Sequence, residues 1–131
     1  MKSSRLLLVL ILMLASFLRL YQLGSVPPAL YWDEVSLGYN ALSIRETLRD
    51  EYGNFLPFSI RSFDDYKPPL YVYLTAIVFT FAQVSEFSVR LVSALSGIAA
   101  VGFIYLLSRM IVRRSNSAKH FSLISAFLLA V

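Results

Sequence analysis

Apolar residues gather in four runs along the chain, and a long polar stretch separates the first run from the others. The runs cover residues 6–23, 70–84 and 91–112, and a truncated fourth run begins at residue 121. A helix that crosses a bilayer needs about 20 predominantly apolar residues. The first and third runs have that length, and the second is short. The pattern therefore predicts an all-α integral membrane fold with three spans and the start of a fourth.

The first run also fits a cleaved signal peptide, because a short basic segment precedes it. No small-x-small cleavage site follows, so we interpret residues 6–23 as an uncleaved span. Arg19 is the one charged residue within this run. It lies one turn from the exit end, where a long basic side chain can reach the interface.

The polar stretch over residues 24–69 is too short to hold a sizeable core of its own, so we expect this loop to lie on the membrane helices. The residues after Asp33 have helical spacing, which predicts an amphipathic helix in the plane of the interface. Residues 55–63 are expected to be irregular. The predicted helix has an apolar face (Leu37, Ala41, Ile44, Leu48) and a polar face (Ser36, Asn40, Ser43, Thr47).

Composition narrows the classes of function. The chain is 57% hydrophobic and 15% charged, which is typical of a protein that lives in lipid. It has no cysteine and one histidine, so this sequence holds neither a disulfide framework nor a histidine cluster for a metal. The net charge of +4 comes from lysines and arginines beside apolar runs. Basic residues in such positions more often determine the membrane orientation of a protein than bind nucleic acid. We therefore expect membrane lipids, and no nucleic acid, among the partners.

The two clusters of basic residues give conflicting predictions of the membrane topology. Three crossings place Lys2 and Arg5 opposite a second basic cluster, whereas the positive-inside rule favours both clusters inside. Either the short run over residues 70–84 does not cross fully, or the second cluster is tolerated outside. Arg90, in the expected turn before the third run, is interpreted as a membrane-surface anchor. The second cluster consists of Arg109, Arg113, Arg114 and Lys119.

The acidic residues concentrate in the loop, where seven of the eight lie between Asp33 and Asp65. Asp33 and Glu34 open the predicted helix, and two interpretations apply to them. Asp33 is an ordinary N-cap, which contributes about 1 kcal/mol. Alternatively it is a general base near the bilayer surface, with Glu34 orienting a partner or a metal ion. The two roles are compatible, since a carboxylate fixed at a helix start is well positioned for catalysis.

The end of the loop holds a second acidic pair and a lysine. Asp64 and Asp65 are interpreted as a solvated turn, with a divalent-cation site as the alternative. Lys67 precedes Pro68 and Pro69, which suit the first turn of a helix. The helix dipole opposes a cation there and favours an anion. Lys67 therefore either holds a phosphate or is an interfacial lysine paired with one of the two aspartates.

Five short motifs occur in a familiar order: Leu18-Arg19-Leu20-Tyr21, Trp32-Asp33-Glu34, Asp50-Glu51-Tyr52-Gly53-Asn54, Tyr66-Lys67-Pro68-Pro69-Leu70 and Ser85-Glu86-Phe87-Ser88-Val89-Arg90-Leu91. Together they resemble the N-terminal region of bacterial GT-C glycosyltransferases. These integral membrane enzymes are similar to protein O-mannosyltransferases and to the aminoarabinose transferases that modify lipid A. The resemblance covers roughly residues 19–112. The Asp-Glu pair alone is unspecific, but its order with the last two motifs is more specific.

The resemblance implies that residues 1–131 are the N-terminal part of a GT-C transmembrane domain, in an inverting hexosyl or pentosyl transferase. It implies a sugar donor linked to a polyprenyl phosphate and a lipid, glycan or protein acceptor. Asp33 matches the presumed catalytic base, Glu34 its neighbour, and Lys67 the lysine that contacts the donor phosphate. No cofactor is certain, and a divalent metal ion stays open.

The resemblance also implies a location. We expect a multi-pass protein of the cell (inner) membrane, with a cytoplasmic N-terminus and the acidic loop outside. Further spans and a C-terminal domain would follow this part of the chain, which we do not expect to be active alone.

A membrane scaffold or accessory subunit is the main alternative, with the acidic loop binding a partner. It predicts that neutralising Asp33 changes association but no transfer rate. A transporter fragment would favour charges buried inside the spans. Arg19, near a span end, is the one candidate for such a charge, so the sequence does not favour this class.

Overall fold

The computed structural model describes residues 2–112 and 118–131, so two members of the second basic cluster, Arg113 and Arg114, lie outside the described part. The described chain is mainly helical, with a short two-stranded hairpin. Its elements are α1 (Lys2–Leu20), α2 (Trp32–Thr47), β1 (Ile60–Ser62), β2 (Asp65–Lys67), α3 (Pro69–Phe81), α4 (Glu86–Ile111) and α5 (Ala118–Ala130).

The chain divides into two compact units, formed by residues 1–21 with 93–131 and by residues 22–92. In the first unit α1 packs against α5, and alanines of both helices are fully or almost fully buried. Small side chains let helix backbones approach closely. Many large apolar side chains of this unit are exposed, which suits a hydrocarbon environment. Its buried core consists of Ala15, Val101, Tyr105, Leu123, Ala126 and Ala130.

Within the described residues, α4 is the one helix that is long and apolar enough to cross a membrane. Its 26 residues rise about 39 Å, more than the roughly 30 Å hydrocarbon core of a bilayer. The apolar helices α3 and α5 have 13 residues each, which rise about 20 Å. Since α4 begins at Glu86, Arg90 lies in its second turn and not in a turn between helices.

The second unit has a buried core of its own, built by α2, the hairpin and α3. One face of α3 is buried, and Val89 at the start of α4 joins the same cluster. Tyr73 of α3 donates its hydroxyl to Pro57 O at 3.0 Å, which ties the loop before the hairpin to this helix. The core residues are Ala41, Ile44, Ile60, Val72, Ala76, Phe79 and Val89.

In this unit α2 and α3 lie side by side and run in the same direction. Near their ends, Arg45 Nη1 of α2 donates to Phe79 O of α3 at 3.0 Å. Helix α4 starts close to the start of α3, because the Tyr71 hydroxyl donates to Val89 O at 2.8 Å. The first turns of α3 and α4 therefore lie at the same end of the unit.

The expected helix of the loop forms as α2, but its details differ from the expectation. Its N-cap is Tyr31 and not Asp33. Glu34 accepts the Tyr31 N–H at 2.9 Å, so an acid at the third helical position binds the donor at the cap. The expected polar face is partly buried. Asn40 is fully buried, where its Nδ2 donates to Ser62 Oγ of β1 at 2.9 Å, so this part of the face contacts protein and not water.

The described chain departs from the expected all-α fold at residues 60–67, where β1 and β2 form an antiparallel hairpin. The register pairs Ile60 with Lys67. The two turn residues, Phe63 and Asp64, have φ of 50° and 65°, as two-residue hairpin turns require. Residues 55–63, which we expected to be irregular, therefore end in a strand that holds the backbone of Lys67.

Candidate active site

The structure brings the two ends of the acidic loop together. Lys67 Nζ, at the end of β2, donates to Asp33 Oδ1 in the first turn of α2 at 2.6 Å, although the residues are 34 positions apart. The lysine side chain is 13% exposed and the aspartate side chain is 55% exposed. The candidate base and the candidate phosphate-binding cation therefore form one ion pair, and its carboxylate remains accessible.

Local structure on both sides holds this pair. Asp33 lies in the first turn of α2, where free N–H groups and the helix dipole favour a carboxylate. Lys67 pairs with Ile60 across the hairpin, and Pro68 next to it is the N-cap of α3. Because Pro68 and Pro69 carry no N–H, the start of α3 has fewer backbone donors for an anion, and the ammonium group can supply three.

Lys67 has a second carboxylate partner, since its Nζ also donates to Asp65 Oδ2 at 2.7 Å. Hydrogen bonds to Asp33 and then to Asp65 raise the pKa of Lys67, so the ammonium stays protonated through the neutral range. The contact with Lys67 lowers the pKa of Asp65. The geometry matches the alternative in which Lys67 pairs with Asp65, and it adds Asp33 as a partner.

Asp64 and Asp65 do not converge on one point. Asp64 Oδ1 accepts a hydrogen bond from Arg61 at 2.8 Å, whereas Asp65 binds Lys67. Over the ranges 2–112 and 118–131, no group of three or more His, Cys, Asp or Glu side chains is placed to hold a metal ion. The geometry therefore does not support the alternative of a divalent-cation site at this pair.

Glu34 forms a second and more buried ion pair. Arg90 Nε and Nη2 donate to its two carboxylate oxygens at 2.8 and 3.0 Å, a bidentate geometry. The Arg90 side chain is 7% exposed and the Glu34 side chain 29% exposed. The hydrogen bonds from Arg90 hold the pKa of Glu34 below its ordinary value despite partial burial.

The remaining donors of Arg90 bind the segment before α2. Nη1 donates to Leu23 O at 3.1 Å and to Pro27 O at 3.0 Å, and Nη2 donates to Ala29 O at 2.9 Å. This segment forms no helix or strand, so one side chain supplies partners for its carbonyl groups. The interpretation of Arg90 as a membrane-surface anchor is therefore wrong, because its guanidinium is buried and binds α2 and this segment.

Arg90 is the residue of the site whose role sequence reasoning missed. The signal that could have found it is an arginine within an otherwise apolar stretch of helix. Such a residue is costly in a membrane-crossing helix unless it has a partner. The sequence alone does not show which of the seven loop carboxylates is that partner.

The two neighbouring carboxylates have different surroundings. Both oxygens of Glu34 are engaged, by Arg90 and by the Tyr31 N–H. Asp33 uses Oδ1 for Lys67, and its Oδ2 has no hydrogen-bond partner among the described residues. An accessible carboxylate can accept a proton, and the ammonium beside it can bind an anion. The arrangement suits proton abstraction next to an anionic leaving group.

A comparison with protein families finds one described as dolichyl-phosphate-mannose-protein mannosyltransferase, which matches residues 66–131, half of the chain. The matched range includes Lys67 and Arg90 and begins after Asp33 and Glu34. It therefore contains one partner of each ion pair. No curated protein and no solved structure shows significant similarity to the chain.

Proposed function

The chain belongs to the dolichyl-phosphate-mannose-protein mannosyltransferase family, and we propose from this membership that it is part of an integral membrane glycosyltransferase. The proposed donor is a sugar linked to a polyprenyl phosphate. The proposed acceptor is a hydroxyl group of a lipid, a glycan or a protein. Transfer takes place at the outer face of the membrane and inverts the anomeric centre.

In the proposed reaction Asp33 is the general base. Its accessible Oδ2 takes the proton from the acceptor hydroxyl, and the acceptor oxygen forms the new bond to the anomeric carbon of the donor sugar. The bond from that carbon to the phosphate oxygen breaks, and its electrons leave with the polyprenyl phosphate. Attack from the side opposite the leaving group inverts the configuration.

Lys67 binds the donor phosphate in this scheme. A phosphate oxygen replaces its contact with Asp33 while the contact with Asp65 remains, and the ammonium offsets the charge that collects on the leaving group. Glu34 contributes through position: its bidentate contact with Arg90 holds the first turn of α2 and thereby orients Asp33. Asp33 and Lys67 are thus the residues that touch substrate, and Glu34 and Arg90 are positioning residues.

The observation that carries the proposal is the 2.6 Å contact between Asp33 Oδ1 and Lys67 Nζ. In this reaction the base and the phosphate-binding cation act on opposite sides of one carbon atom, so both have to reach the same substrate, and their direct contact has to open when that substrate binds. The scaffold alternative needs an unpaired acidic surface, and five of the seven loop carboxylates already pair with cations of the same unit. These are Asp33, Glu34, Glu46, Asp64 and Asp65.

For the membrane we propose a multi-pass topology in which α4 crosses, α1 crosses through the 19-residue helix of the first apolar run, and α3 does not. Helix α3 is short and runs beside α2, and its first turn contacts the first turn of α4, where the Tyr71 hydroxyl donates to Val89 O. With α3 outside, Lys2 and Arg109 fall on the same side of the membrane, which satisfies the positive-inside rule. The N-terminus is then cytoplasmic, the acidic loop is outside, and the membrane is the cell (inner) membrane.

Donor affinity of the full-length enzyme tests the assignment of Lys67. Lys67→Ala is expected to raise the apparent KM for the polyprenyl-phosphate sugar by about 10-fold or more, because a hydrogen bond to a charged group contributes roughly 1.5–3 kcal/mol. Arg61→Ala is the matched control, since Arg61 is a cation of the same hairpin whose side chain is 50% exposed. Small and equal effects of the two changes would contradict the assignment.

A further inference from the structure

A cleft lined by residues of α2, the hairpin turn and the segment between them takes no part in the scheme above. Its volume is about 390 Å³, within the range of small-molecule sites. One wall belongs to α2, just after Asp33, and another is the turn of the hairpin that ends at Lys67. The residues that line the cleft are Val35, Tyr39, Glu51, Tyr52 and Phe63.

Aromatic side chains make up most of the lining. Tyr39, Tyr52 and Phe63 are partly exposed, and none of them is withdrawn into the core. Phe63 also packs against Trp32, the residue before Asp33, with ring centroids 4.7 Å apart. Aromatic rings that remain partly open at the wall of a cleft offer apolar faces that a ligand can cover.

Phe63 has a backbone conformation that does not suit its side chain. Its φ of 50° lies in the left-handed region, where bulky residues are uncommon. A two-residue hairpin turn usually carries Asn, Asp or Gly at such positions, and the next residue, Asp64, fits this pattern. The turn accounts for the positive φ but not for the aromatic ring. Strained residues occur at binding sites, and Phe63 combines such a conformation with a ring that lines the cleft.

Glu51 adds a polar group to these apolar walls. Its Oε1 accepts the Phe63 N–H at 3.3 Å, and its own N–H donates to Asn40 Oδ1 at 3.2 Å. Its Oε2 has no hydrogen-bond partner in the part of the chain that the structure describes. A hydrocarbon chain in the cleft would leave this oxygen without a donor. A sugar ring can supply a hydroxyl donor to the carboxylate while its C–H face covers an aromatic ring.

We propose that this cleft binds the pyranose ring of a substrate sugar. The C–H face of the ring lies on the aromatic wall that includes Phe63, and a ring hydroxyl donates to Glu51. The proposal rests on the proposed function, because that reaction handles sugars, and it adds residues that the reaction scheme does not contain. The ring belongs either to the lipid-linked donor or to a glycan acceptor, and the kinetics below distinguish these sources.

The test measures how the full-length protein in detergent binds methyl α-D-mannopyranoside, by saturation-transfer NMR. Phe63→Asn removes the ring and introduces a residue that adopts positive φ readily, so the hairpin is expected to fold. Tyr39→Ala is the second variant, since alanine favours the helix. Phe58→Asn is the matched control, because Phe58 is 95% exposed and lies outside the cleft.

Phe63→Asn and Tyr39→Ala are each expected to weaken binding of the methyl mannoside by about fivefold, whereas Phe58→Asn leaves it unchanged. In transfer assays, a raised apparent KM for the donor assigns the cleft to the donor sugar. A raised KM for a glycan acceptor assigns it to the acceptor. The proposal is overturned if wild type does not bind the methyl mannoside, or if both cleft variants bind it as wild type does. The proposal is also overturned if the cleft variants bind polyprenyl phosphate that carries no sugar less tightly than wild type does.

Failure of the proposed function gives a different result. If the wild-type enzyme transfers no sugar from polyprenyl phosphate, the reaction scheme is wrong. If its binding of methyl mannoside still depends on Phe63 and Tyr39, the cleft remains a sugar-binding site.

Discussion

Replacement of Arg90 tests how the start of α2 is held. The guanidinium makes five hydrogen bonds of 2.8–3.1 Å, two to Glu34 and three to the carbonyl groups of Leu23, Pro27 and Ala29. Lysine keeps the positive charge but has three donors on one nitrogen and no planar fork. Arg90→Lys therefore separates the contribution of the charge from that of the geometry.

The magnitude follows from the contacts that are lost. With three donors, lysine leaves at least two of the five hydrogen bonds unmade, and each loss at a charged donor costs about 1.5–3 kcal/mol. The Glu34 side chain is 29% exposed, so water recovers part of this energy. We expect Arg90→Lys to lower the free energy of unfolding by about 2–4 kcal/mol. Arg90→Met breaks the whole pair and is expected to cost about 3–5 kcal/mol.

The assay is denaturant unfolding of the full-length protein in detergent. Arg61→Lys is the matched control, because Arg61 also binds an aspartate but its side chain is 50% exposed. Exposed ion pairs contribute about 0–1 kcal/mol, so the control should change little. A loss below about 1 kcal/mol for Arg90→Lys, or equal losses for the two variants, would refute the argument that the planar fork holds this segment.

Acid pH offers an independent check on the same pair. Because the pKa of Glu34 is lowered in the folded protein, the unfolded chain binds this proton more tightly. The stability that the Glu34–Arg90 pair contributes is therefore fully present above the ordinary carboxylate pKa of about 4.3. It is lost as the pH falls through the lowered pKa of Glu34 in the folded protein. The difference in stability between wild type and Arg90→Met should shrink below about pH 4. A difference that is independent of pH would mean that the carboxylate of Glu34 contributes little.

Two further predictions concern the reaction and the topology. In the full-length enzyme Asp33→Asn should lower kcat by about 10²–10⁴-fold, the usual contribution of a general base, and near-normal turnover would exclude Asp33 from that role. Single cysteines at Ser59 and Gln83 should both react with a membrane-impermeant maleimide on intact cells, whereas a cysteine at Lys119 should react only after lysis. Labelling at Gln83 only after lysis would mean that α3 crosses the membrane.

The local features of the fold could be predicted from the sequence, because their causes lie within a few residues. Pro68 and Pro69 begin α3 as expected, and the helical spacing after Asp33 does form a helix. The expected N-cap failed because Glu34 supplies the capping contact from inside the helix, which lets Tyr31 occupy the cap position. The hairpin was missed because strands of three residues are too short for a period of two to be recognised.

The contacts that build the site could not be predicted in the same way. Glu34 and Arg90 are 56 positions apart, and the sequence holds several acids and bases that could pair instead. The burial of Asn40 was also missed, since a polar residue at helical spacing indicates a solvated face unless its partner is known. That partner, Ser62, lies on a strand that was not expected.

Asp33 and Glu34 are neighbours in α2, and their side chains therefore point in different directions. Successive residues of a helix point about 100° apart, so the two carboxylates cannot both face one partner. Asp33 meets Lys67 of the hairpin, and Glu34 meets Arg90 of α4. Two adjacent residues thus connect the start of one helix to two other elements. The buried pair fixes the helix start, and the exposed pair is thereby held in place while its carboxylate stays accessible to a substrate.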